Sequence, residues 1–190
     1  MRTDLERDLA ALAADLRAST VAVHDADGRG SGAGVVWDAR GIVVTNAHVV
    51  RGRYATVESA AGRRVQAALV GRDPERDLAV LRVDAREAGA LVAAPRRDSA
   101  TLVPGEFVVA VGHPHGVRGV VTAGLVHGCN ARWVVADVRL APGNSGGPLA
   151  DAAGRVVGIN SMIVRGLAYA VPSSAVAAFL RSLREGTRAA

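Results

Sequence analysis

Pro142-Gly143-Asn144-Ser145-Gly146-Gly147-Pro148 sets one hydroxyl on a glycine-rich turn. Glycine admits backbone angles closed to other residues, so the N–H groups of Gly143 and Ser145 can converge on one point. Gly146 and Gly147 leave room beside it. An acyl group attacked by Ser145 would develop its negative charge facing those donors, the arrangement that amide hydrolysis requires. Taken alone the string is equally a hairpin turn, so its meaning rests on finding a base and a group that orients the base.

His48 closes the β-type run Ile42-Val43-Val44-Thr45-Asn46-Ala47-His48, where a strand ends and side chains can turn into a cleft. The bland alternative is a core histidine on an apolar segment. Asp77 stands directly before the apolar run Leu78-Ala79-Val80-Leu81. A half-buried carboxylate there can bind imidazole Nδ1 and leave Nε2 free as a base. Asp73 competes for the role, but its place before Pro74 suits a turn-forming side chain. The order His48, Asp77, Ser145 puts base and orienter in the first half of the chain and the nucleophile in the second. A cleft between two packed halves must assemble them.

The elements that could do so follow from periodicity. Leu5, Leu9, Leu12 and Leu16 form one apolar stripe, which predicts a helix over 1–18. That stripe either packs on its own domain, the reading favoured here, or forms a subunit contact, which leaves a homo-oligomer through 1–18 open. Six short β-type runs fall between Val21 and Leu81 and six more between Phe107 and Val171, separated mostly by glycine-bearing or charged turns. This is an all-β pattern of two barrels or sandwiches. The expected division is helix 1–18, a first β unit over 19–95 carrying His48 and Asp77, and a second over 96–190 carrying Ser145. Pro172-Ser173-Ser174 then opens a C-terminal helix with Val176, Phe179, Leu180 and Leu183 on one side.

Composition removes other classes. With 49% hydrophobic and 22% charged residues over 190 positions, the chain can bury a core and is not disordered. No apolar run approaches the roughly 20 residues of a membrane span, so no membrane insertion is expected. The N-terminus lacks the apolar core of a signal peptide, which predicts a cytoplasmic protein, or a periplasmic or secreted one if the chain has been trimmed. Cys129 is the single cysteine, so there is no internal disulfide; it reads as an incidental thiol in a short turn. All 23 basic residues are arginine and the net charge is +5, yet they are scattered without interleaved aromatics, and no nucleic-acid partner is expected. His113-Pro114-His115 lacks a nearby carboxylate and reads as a turn rather than a metal site. His24 and His127 have no identifiable partner. No cofactor or metal is expected.

With these residues in view, the chain resembles the protease domain of the HtrA/Deg branch of chymotrypsin-fold serine peptidases. The resemblance runs in order through Gly30-Ser31-Gly32, Thr45 to Val50, Asp77 to Leu81, Pro104-Gly105-Glu106, Gly112-His113-Pro114, Pro142 to Leu149, Gly158-Ile159-Asn160 and Ala170 to Ser173. It implies two packed six-stranded antiparallel β-barrels with N- and C-terminal helices and the triad between them. By the same resemblance His48 is general base, Asp77 its orienter and Ser145 the nucleophile. The oxyanion loop is Gly143, Asn144 and Ser145, with the N–H groups of Gly143 and Ser145 as donors.

Asn144 stands where digestive enzymes have an aspartate that pairs with a freshly cut N-terminus. A neutral amide cannot make that pair, so activation by clipping is not expected. The segment before Ser145 (Arg139, Leu140) and the strand at Asn160, Ser161 and Met162 should line the specificity pocket. Leu140 favours a small apolar side chain before the scissile bond. Arg139 would select acidic side chains if it pointed inward; the outward reading is favoured, because a buried unpaired guanidinium is costly. Four departures from the family pattern stand out: no PDZ domain, short connections at Gly128–Arg132 and Met162–Gly166, and a Gly112-His113-Pro114-His115-Gly116 turn in place of a Gly-Asn-Pro-Phe-Gly type. The expected function is a bacterial protein-quality-control endopeptidase, hydrolysing unfolded or exposed polypeptide segments through an acyl-enzyme. The alternative is a latent protease acting mainly as a chaperone-like or scaffold protein.

Overall fold

The computed structural model describes residues 3–27, 30–89 and 91–188. Met1 and Arg2 of the expected first helix and the last two residues of the expected second unit lie outside them. Helix α1 spans Asp4–Ala18 and starts on a capping box, in which Thr3 accepts from the Glu6 N–H and the Glu6 carboxylate accepts from the Thr3 N–H. Its leucine stripe divides. Leu16 is fully buried and, with Leu12, packs against Val109, Val111 and Ala150, whereas Leu5 and Leu9 are exposed. Each buried leucine contributes roughly 1.5–3 kcal/mol, enough to dock one half of a helix but not the other.

Among the described residues twelve strands follow, one for each alternating run. In the first half they are β1 Thr20–Asp25, β2 Ser31–Asp38, β3 Ile42–Thr45, β4 Tyr54–Glu58, β5 Arg64–Asp73 and β6 Leu78–Val83. They close into an antiparallel barrel in the order β1-β2-β3-β6-β5-β4. The short helix α2 (Ala85–Ala88) leads away from it. The second set is β7 Phe107–Gly112, β8 Val120–Cys129, β9 Val134–Ala136, β10 Pro148–Asp151, β11 Val156–Val164 and β12 Leu167–Pro172. These close as β10-β11-β12-β9-β8-β7. Barrels, not open sandwiches, result, because closure pairs the strand edges that short strands would otherwise expose. Cys129 ends β8 rather than lying in a turn, and its thiol donates to the Ser99 carbonyl at 3.3 Å.

Each barrel has its own core of mostly Val, Ala and Leu side chains. A third core fixes the barrels to one another. Val35, Trp37, Val44, Leu78 and Val80 of the first barrel meet Val156, Ile159 and Val171 of the second, all buried. Helix α3 (Ser173–Arg188) covers this seam with Val176, Phe179, Leu180 and Leu183, the face expected from its spacing. The ends of β3, β6 and β11 and the loop before β10 therefore meet in one junction between the barrels.

Candidate active site

Thr45, the last residue of β3, anchors the junction: its hydroxyl donates to the Ala33 carbonyl at 2.7 Å. The chain then turns, and His48 stands out of the barrel with about half of its side chain exposed. Asp77 precedes β6 with a positive φ of 56°, a conformation aspartate tolerates better than most residues. Asn46 helps to hold it there, donating Nδ2–H to the Asp77 carbonyl at 2.9 Å. In this pose the Asp77 carboxylate accepts the His48 backbone N–H at 3.1 Å and lies 2.9 and 3.0 Å from His48 Nδ1. It also accepts the Ser161 hydroxyl at 2.5 Å. Burial pushes the Asp77 carboxyl up, but the bonds from His48 and Ser161 outweigh it and hold the group below the usual carboxylate range. An anionic Asp77 bonded to Nδ1 keeps the proton there and leaves Nε2 as the basic nitrogen.

Ser145 arrives from the second barrel. Ala141 to Asn144 form a closed turn, with the Asn144 N–H donating to the Ala141 carbonyl at 3.0 Å. Pro142 and then Gly143 at φ 106° are the residues a type II turn demands. A Cβ on Gly143 would lie 2.5 Å from the His113 carbonyl oxygen, so glycine is required twice over. Around the turn the carbonyls find donors: Gly143 O from His113 N at 3.0 Å, Asn144 O from Gly147 N at 3.0 Å and Ser145 O from Ala33 N at 2.7 Å. The Gly146 N–H donates to Asn160 O at 2.8 Å. Among the described residues, the N–H groups of Gly143 and Ser145 donate to no protein acceptor. Two neighbouring unspent donors on a largely buried turn suit an anion. The Ser145 hydroxyl donates to the Ser161 carbonyl at 3.2 Å, and not to His48, among the described residues.

His48, Asp77, Gly143, Asn144, Ser145 and Ser161 thus come together. Ser161, read from sequence as lining a pocket, also links Asp77 and Ser145, 84 and 16 residues away. No spacing signal could have found it. Asn160 is fully buried and donates Nδ2–H to Pro148 O at 2.9 Å, while Met162 emerges partly exposed farther along β11. Leu140 is half-buried against the second core, and Arg139 is exposed, without an ion pair among the described residues. Asp73 accepts from Arg76 N at 3.1 Å and pairs with the Arg76 guanidinium, so it serves a turn. Two histidines read as partnerless do have carboxylates near: His24 lies 3.8 Å from Glu58 and His127 3.7 Å from Asp137. Among the described residues no three His, Cys, Asp or Glu side chains gather as a metal would need.

Two closed antiparallel six-stranded barrels with a helix at either end define a chymotrypsin-like fold. Residues 32–159 match the family described as trypsin-like peptidase domain, and the chain belongs to that family. It is 38% identical over 164 residues to a probable periplasmic serine endoprotease DegP-like of Halomonas elongata, covering 78% of this chain and 34% of the relative. To the bovine mitochondrial serine protease HTRA2 it is 35% identical, over 79% of this chain and 35% of that protein. The chain thus spans about a third of the length of these relatives. The crystal structure of the serine endoprotease from Yersinia pestis superposes with a TM-score of 0.83 at 27% identity, over 98% of this chain and 69% of the other. The compartments in the relatives' names do not support a cytoplasmic site. No helix among the described residues is long and apolar enough to cross a membrane.

Proposed function

We propose that the chain is a serine endopeptidase that cleaves unfolded or exposed polypeptide segments. The observation that carries this is the junction itself: an aspartate-bound imidazole and a serine on a turn with two unspent N–H donors. Ser145 Oγ attacks the scissile carbonyl after its hydroxyl leaves Ser161 O and donates to His48 Nε2. His48 takes the proton, Asp77 steadies the imidazolium, and Gly143 N and Ser145 N receive the oxyanion. His48 then protonates the leaving amine, and water resolves the acyl-enzyme by the same route.

Relatives named as serine proteases support the reading. Their periplasmic and organellar names favour a compartment outside the cytoplasm. Small apolar selectivity fits the half-buried Leu140 and an outward Arg139. A homo-oligomer through α1 fits the exposure of Leu5 and Leu9. A fluorophosphonate should label Ser145, and casein should be cleaved by the wild type but not by Ser145→Ala. A wild-type protein that neither labels nor cleaves would overturn the proposal. A latent resting state has one observation in its favour, the hydroxyl held by Ser161 O. It predicts labelling that rises after peptide is added.

A further inference from the structure

The connection from β7 to β8, residues 113–119, lies behind the Gly143 turn and touches three parts of the molecule. On one side its backbone forms the wall against which that turn rests. His113 N donates to Gly143 O at 3.0 Å, and the His113 carbonyl and Pro114 Cα fill the space where a Gly143 side chain would go. Internally the connection is closed by the His113 ring, whose Nδ1 accepts the Gly119 N–H at 3.2 Å. That bond exists only while Nδ1 carries no proton, which fixes a neutral ring protonated at Nε2. On its far side two arginines tie it down. Arg17, in the last turn of α1, donates Nε–H to Gly119 O at 2.7 Å. Arg118 pairs with Glu58 at the end of β4 in the first barrel, a carboxylate only 3% exposed that also binds Arg64 Nε at 2.9 Å. A cavity of about 110 Å³ lies at this meeting point, bordered by Arg17, Thr20, Glu58, His113 and Arg118.

We propose that His113 is a positioning residue for the oxyanion turn. Its neutral ring latches the 113–119 connection against Gly143, and Arg17 and the Arg118–Glu58 pair report the seating of α1 and the first barrel to that latch. The proposal rests on the serine-endopeptidase reading of the site. A proton on Nδ1 would set two donors face to face, break the bond to Gly119 and loosen the support under Gly143. Burial holds the ring below the ordinary histidine value; the Val21 carbonyl and Glu58 oppose this, and Arg118 and His24 add to it. The latch is therefore shut at neutral pH and opens in acid. Arg17 and Arg118 face the same cavity.

Wild type, His113→Ala, His113→Asn and Arg118→Leu, all as the full chain, test it. The asparagine oxygen can take the place of Nδ1 as acceptor without titrating. His113→Ala should lower kcat and the rate of fluorophosphonate labelling by about 10- to 100-fold, short of the 10²–10³ expected from complete loss of an oxyanion donor, with KM changed little. His113→Asn should recover most of that loss. In wild type kcat should fall more steeply in acid than in His113→Asn, which lacks the titrating ring. Amide hydrogen exchange over 141–147 should quicken in His113→Ala, and to a smaller extent in Arg118→Leu, an outcome that does not depend on activity. Unchanged exchange in both variants overturns the latch, as does an asparagine variant that folds but is as slow as the alanine one. A wild type that never labels while exchange still responds to His113→Ala overturns the peptidase reading and leaves the positioning intact.

Discussion

The two barrels close in the same strand topology yet bring different things to the junction. The first supplies side chains: His48 and Asp77, joined by three contacts of 2.9 to 3.1 Å. The second supplies mainly backbone: a glycine at φ 106° and two N–H groups aimed by the hydrogen bonds of their neighbours. Side-chain chemistry held by charge-assisted bonds survives modest shifts of the main chain. Backbone donors do not, because rotating one peptide removes one of them altogether. The first half should therefore govern whether proton transfer is possible, and the second how much of the population is ready for it.

The largest effect should come from removing the atom on which both halves act. Ser145→Ala should lower kcat by roughly 10⁶-fold and abolish fluorophosphonate labelling while the melting temperature stays put. A residual rate near wild type would place the nucleophile elsewhere. Next is the first half alone. Asp77→Asn should cost about 10⁴-fold in kcat, since an amide lets the imidazole adopt the wrong tautomer. A loss under tenfold would show that Asp77 merely packs against His48. Third is the second half alone. Gly143→Ala meets the His113 carbonyl and an unfavourable φ, so the turn must move. It should cost about 10²- to 10³-fold in kcat, the worth of an oxyanion donor, with far less change in KM. Should Gly143→Ala cost as much as Asp77→Asn or more, the two halves do not divide the work in this way.

That division also explains what could be read in advance. The twelve strands were legible because alternation and turn residues repeat in both halves, and the helix faces because leucine or valine recurs at helical spacing. His48, Asp77 and Ser145 were legible because each sits in a local string whose residue types have a chemical reason. The contacts that Ser161 and His113 make were not. Ser161 reaches Asp77 through barrel closure and His113 reaches Gly143 through loop stacking, and neither contact leaves a periodic or local mark. The leucine stripe of α1 was half informative: it gave the helix, but only packing on β7 decides that Leu16 is buried and Leu5 is not. The partners of His24 and His127 were hidden for the same reason, since cross-strand and inter-loop neighbours depend on register.

The smallest effect concerns a side chain that crosses the division. Ser161 belongs to β11 of the second barrel, yet its hydroxyl serves Asp77 of the first. Ser161→Ala removes one of the bonds that keep Asp77 ionised but leaves both His48 donors, so about tenfold in kcat is expected, the low end for a bond to a charged group. Its pH behaviour is more telling. Asp77 titrates below its ordinary value of 3.8 in the folded protein. Its stabilising contribution is therefore present above that value and is lost as pH falls through the lower, folded pKa. Without the Ser161 hydroxyl the folded pKa moves back towards 3.8, so less stability remains to be lost in acid. Melting temperatures of wild type and Ser161→Ala should differ most near neutral pH and converge as the pH drops below 3.8. Parallel curves would mean that the serine supports the junction by packing alone, and that the two halves share no charge.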